Sequence, residues 1–209
     1  MTSSSGREPR RRPVLRAMPP AVDRGVDPAG RLIAAEMSAA QLVAAGHAPG
    51  ADVDRLVCLA DEVGLDALAM VWGVAEPGSL PAALWAVYAL RAWCRTRPAE
   101  VGQLATVGRV HAEVAATVAG LPVLISPSDV RALGDDVVRG AVAREVPIAL
   151  HRAAALARVL AAGRGASGDD EVPPVPAVAQ AEWDQAVLGA RLLTTADGLD
   201  RAARRLRAR

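Results

Sequence analysis

The residues of this chain whose types could do chemistry are three histidines, two cysteines and several runs of adjacent acids. A di-iron or zinc site on helices needs ligands at helical spacing, as in ExxH or HExxH, so that two side chains share one face. No Glu stands three before His47, His111 or His151, and Cys58 and Cys94 are 36 residues apart with no CxxC. No metal site is expected from that set. His111 falls four after Val107 and three before Val114, at the edge of what reads as an apolar face. It is expected to be a hydrogen-bonded core-edge histidine rather than a ligand or base. A phosphate loop of the GxxxxGK[ST] kind is missing, and the chain has no lysine to complete one. The run GRGASG at 163–168 fits GxGxxG, but no strand precedes it and no helix follows it, so it reads as linker. GxSxG is absent. The acids at Asp61-Glu62, Asp135-Asp136 and Asp169-Asp170-Glu171 are chain neighbours, which point about 100° apart on a helix and do not converge on one substrate atom. They are expected on solvated faces. No catalytic residue, cofactor or metal ligand emerges, and the chain is expected not to be an enzyme.

Charge gives a second line of approach. Twenty-four basic residues meet 23 acids for a net charge of +1, so no strong field dictates a partner. Every base is Arg, and Lys, Asn and Phe are absent together. Those gaps match residues with AT-rich codons and mark a GC-rich coding sequence, so the arginine preference is no nucleic-acid signal. The arginines do gather at the ends, at Arg7, Arg10, Arg11 and Arg12 and again at Arg201, Arg204, Arg205, Arg207 and Arg209. Arg201, Arg204, Arg205 and Arg207 are the candidate phosphate contacts, since basic ends bind nucleic acid weakly by releasing counterions. Cations in the last turn of a helix are favoured without any ligand.

Two cysteines without a framework read as reduced, buried thiols. The Arg-rich start is followed by no apolar run, because Pro13, Arg16, Pro19, Pro20 and Asp23 interrupt it. The longest uncharged apolar stretch, 77–90, is 14 residues with two prolines, against about 20 for a membrane span. A cytoplasmic protein with no membrane contact is expected.

The elements that must position these residues are helical almost throughout. Residues 1–27, rich in Arg and Pro, have too little to bury to repay ordering and are expected to be disordered. Residues 28–162 read as a helical core, 163–176 as a flexible linker and 177–209 as a C-terminal helix packing on the core or on a partner. Asp27-Pro28, Ser79 and Ser126-Pro127-Ser128-Asp129 are helix starts. Val107, Val110, Val114 and Val118 recur at helical spacing, and a break is expected near Val146-Pro147. No stretch alternates for long enough to be a half-buried strand. The class is all-α, a compact bundle of about seven or eight helices. The segment from Ser79 to Thr96 is apolar around most of its circumference and is expected at the centre. Four of the five aromatics fall between 72 and 93, so Trp72, Trp85, Tyr88 and Trp93 are the expected structural core.

The runs SLPAALWAVYALRAWC (79–94) and GRVHAEVAATVAGLP (108–122) resemble conserved helical proteins of actinobacteria. The resemblance spans about residues 50–162. It implies a helical fold and a cytoplasmic setting, and brings no catalytic residue, ligand or partner.

The strongest positive hint of association is in the last helix. Val178, Ala181, Gln185, Leu188, Leu192, Thr195, Leu199, Ala202 and Leu206 are spaced three and four in alternation, the pattern by which one helix lays a seam on another. Leu188, Leu192, Leu199 and Leu206 are the candidate interface, with a protein partner, with a second copy, or with the chain's own bundle. A non-catalytic helical module for protein interaction or self-association is the leading expectation. The alternatives are a nucleic-acid-associated protein working through its Arg-rich ends, and an enzyme or small-ligand binder whose site converges only in three dimensions. A concave pocket gathering Trp72, Trp85 or His111 with polar groups would favour the last.

Overall fold

The computed structural model describes residues 27–143, 145–166 and 176–208. Among them are ten helices and no strand: α1 (Pro28–His47), α2 (Val53–Val57), α3 (Leu59–Val63), α4 (Leu65–Trp72), α5 (Leu80–Thr96), α6 (Pro98–His111), α7 (Glu113–Ala119), α8 (Pro127–Val142), α9 (Val146–Ala166) and α10 (Pro176–Arg207). The fold is all-α. The expected disorder of 1–27 falls, except for Asp27, outside the described residues.

Local chemistry sets the helix starts. The Asp27 carboxylate accepts from the Ala29 amide and the Ser79 hydroxyl from that of Ala82, each ahead of a proline in the first turn. Ser126 and Asp129 cap each other reciprocally, which satisfies two N-terminal amides of α8 at once. Ten helices replace the expected seven or eight because stretches read as continuous are divided. One divides at Cys58, between α2 and α3. Another divides at Ala112, whose φ of −139° and ψ of 53° leave the helical region between α6 and α7. Neither break carries a proline or glycine that would have announced it.

The centre of the molecule is α9, not α5. Leu150, Ala153, Ala154, Leu156, Ala157, Val159 and Leu160 are at most 1% exposed, and α6, α7, α8 and α10 all pack on this helix. Its alanines let neighbours approach from every side. The bulky face of α5 does not: Ala83, Leu84, Val87, Tyr88 and Cys94 are buried, while Trp85, Ala86, Ala89 and Trp93 stay half-buried. By length and composition alone α9 could cross a membrane, with a mean hydropathy of 1.3 over Val146–Gly165, and 67% of that stretch is buried in the fold.

Two expectations are corrected here. α9 runs on through Gly163 to Ala166, so the first residues of the expected linker are helical. A Cβ on Gly163 would meet the Leu104 carbonyl, and one on Gly108 would meet that of Val159. These glycines allow α6 and α9 to touch backbone to backbone rather than supplying flexibility. Residues 167–175 of that expected linker lie outside the described residues. The valines of α6 and α7 also turn the other way. Val110 and Val114 are 79% and 80% exposed, while Gly102, Ala105, Gly108, Ala116 and Ala119 face the core. The close approach of α9 leaves room for small residues only.

Candidate interaction groove

The exposed valines form one wall of an open groove completed by α9 and α10. Val110, His111, Glu113, Val114 and Val118 line it from α6 and α7, His151, Ala155 and Arg158 from α9, and Asp200 from α10. A hydrogen-bonded chain of side chains runs through it. His151 Nδ1 lies 2.7 Å from Asp200 Oδ1, and Arg158 Nη2 donates to Asp200 Oδ2 at 2.6 Å and to Asp197 at 3.1 Å. Burial works against the charge on Asp200, but the hydrogen bonds from Arg158 and His151 outweigh it and hold the carboxyl below its ordinary range. The second histidine nitrogen, Nε2, makes no hydrogen bond among the described residues. A histidine backed by a carboxylate can accept a proton. No serine, threonine or cysteine lines the groove beside it. No three metal-binding side chains come together among the described residues.

A second charged cluster serves the fold. Arg91, 1% exposed, donates from Nε to Asp135 at 2.7 Å and from Nη1 and Nη2 to Asp61 at 3.1 and 2.9 Å. It joins α3, α5 and α8. The Arg91 hydrogen bond, against the opposing effect of burial, keeps the Asp61 carboxyl low. One acid from each of two adjacent pairs, Asp61 and Asp135, is thus ordered on a buried guanidinium, while Asp61 stays exposed on its other side. Nearby, Cys94 is buried as expected, and burial pushes its thiol up to about 12, whereas Cys58 is exposed, contrary to the expected buried thiol.

The remaining expected site residues are distributed as follows. Trp72 and Tyr88 are buried, with Trp72 Nε1 donating to Ser38 at 3.0 Å and Tyr88 Oη to the Leu56 carbonyl at 2.5 Å. Trp85 and Trp93 are half-buried and line a separate groove. Leu199 is 1% exposed, and Leu192 and Leu206 pack partly buried against the same core. Leu188 lies in α10, but its side chain is outside the described residues. Arg201, Arg204, Arg205 and Arg207 are exposed. Arg205 donates to the Gly78 carbonyl at 3.1 Å, and the Arg201 side chain covers Gly78. His111 is exposed at the groove rim and makes no hydrogen bond among the described residues, contrary to the core-edge expectation. His47 Nε2 lies 2.5 Å from the Ala143 carbonyl.

Sequence reasoning missed His151, Arg158, Asp197 and Asp200. The i, i+7 spacing of His151 and Arg158 and the i, i+3 spacing of Asp197 and Asp200 put each pair on one face of its helix, but no sequence signal joins the two faces. Comparison of the chain with protein-family models, with curated proteins and with solved structures found no match in any of the three. None of them bears on the resemblance to actinobacterial helical proteins.

Proposed function

We propose that this protein is a non-catalytic, self-associating helical module whose contact surface is the α6–α7 valine ridge and the groove beside it. The observation that supports the reading is the exposure of Val110, Val114 and Val118, at 79%, 80% and 49%, along a single ridge. Apolar side chains grouped on one face mark an interaction surface more than scattered ones do. A two-fold dimer needs a surface complementary to itself. Here a ridge lies next to a groove, so the ridge of one copy fits the groove of the other. The groove carries both signs of charge, with Glu113 and Asp200 against Arg158, so two copies can meet without facing like charge only. The free cysteines support a reducing, cytoplasmic setting.

The seam of α10, which first suggested association, gives this reading less support, because Leu199 is already covered by its own chain. Phosphate binding by the basic tip also gains little, since Arg205 already donates to the Gly78 carbonyl.

Light scattering on the full chain at tens of micromolar tests the proposal. A dimer is expected for the wild type and a folded monomer for Val114→Glu, with Val110→Glu as a second disruption. A wild-type chain that stays monomeric, or a dimer indifferent to both substitutions, overturns it.

A further inference from the structure

A second groove lies on the opposite flank of α10, between that helix, α5 and the turn after α4. It has a cavity volume of about 370 Å³, within the range of small-molecule sites. Three of the four tryptophans of the chain, Trp72, Trp85 and Trp93, line it. The rest of its wall is mostly alanine and glycine, Ala86 and Gly198 among them, and no charged residue contributes. Small side chains set against indoles leave a slot where a packed core would have filled the space.

The rings are held in place from outside the slot. Trp72 is tied to Ser38 and rests 6.1 Å from the Tyr88 ring, and the Arg164 guanidinium sits 5.1 Å over Trp93. The two hydroxyls in the wall are already committed: Thr194 donates to the Ala190 carbonyl and Thr195 to that of Arg191. The indole N–H groups of Trp85 and Trp93 make no hydrogen bond among the described residues. Among the described residues the slot has no charged side chain, and its two committed hydroxyls keep acceptor capacity only.

We propose that this groove binds a planar, uncharged, largely apolar small molecule. Aromatic faces reward a flat ligand by stacking. The missing countercharge makes an ionised ligand costly to bury. The site goes beyond the association surface and shares no residue with it.

Flavone, which is planar, neutral and largely apolar, is the probe. Titrated into the full chain, it is expected to quench tryptophan fluorescence saturably with one-to-one stoichiometry, confirmed by calorimetry. Ala86→Trp, which fills the slot, is expected to weaken binding by about tenfold or more, as loss of the pocket volume requires. Ala86→Leu carries the test if the larger residue prevents folding, with circular dichroism as the check. A carboxylate-bearing flavone is expected to bind far more weakly. No saturable quench, binding unchanged in both Ala86 variants, or equal binding of the anion would each overturn the proposal. Dimerisation at the valine ridge is read separately by light scattering, so the two proposals fail independently.

Discussion

On one side of α9, α6 comes so near that Gly108 and Gly163 each face a backbone carbonyl of the other helix. On the other side α10 leaves ordinary contact distance, with the Gly189 Cβ position 3.8 Å from the Ala161 carbonyl oxygen. It buries Ala196, Leu199, Ala202 and Ala203 and adds ion pairs from Asp197 and Asp200. The first interface is limited by what can be added to it, the second by what can be removed. The same central helix thus meets two kinds of neighbour, and side-chain size alone does not measure how much each contributes.

The largest effect should come from deleting α10. A chain ending near Gly168 strips α9 of its most extensive neighbour and should lose its cooperative unfolding transition, followed by circular dichroism. A truncated chain that melts cooperatively would make α10 a docked appendage, and the comparison would collapse. Single substitutions sharpen it next. Gly108→Val forces the backbones apart and should cost about 3 kcal/mol or more. Leu199→Ala should cost about 2 kcal/mol, the low end for a buried leucine, because this side chain also borders the tryptophan slot. Denaturant titration of both variants reads the difference, and a harmless Gly108→Val would refute the close-contact account.

Acid should separate the two interfaces least, but with a definite sign. The Asp200 carboxyl titrates lower in the folded chain than in the unfolded one. Its contribution is therefore complete above the ordinary carboxylate value of about 3.9 and fades as pH falls through the folded value. Asp200→Asn should be less stable at neutral pH and lose less of its stability on acidification. Gly108→Val should keep the wild-type acid response. Denaturant unfolding at about pH 2 to 5 tests both.

What could be read from the sequence was local. Ser79 before Leu80-Pro81, and Ser126 with Asp129, carry their capping chemistry within three residues, and the helices begin there. The spacing of Leu192, Leu199 and Leu206 correctly groups side chains that face inward. Helical period identifies a face without saying which face is buried. The larger valines of α6 and α7 outweighed Gly102, Ala105 and Gly108, yet the small residues are the ones that face the core, Gly108 directly against α9. Nor could spacing find Arg91, whose carboxylate partners are 30 and 44 residues away, or the His151–Asp200 contact across 49 residues. Ion pairs of that kind depend on which helices become neighbours, and so on the whole packing arrangement.

The apolar character of α9 has a consequence for how the protein is made. Its principal cover, α10, is synthesised after it, on the order of seconds later at ribosomal speed. During that interval the nascent chain carries a 20-residue helix with a mean hydropathy of 1.3 whose face toward α10 is still uncovered, so the central helix of the fold is the last to be fully enclosed.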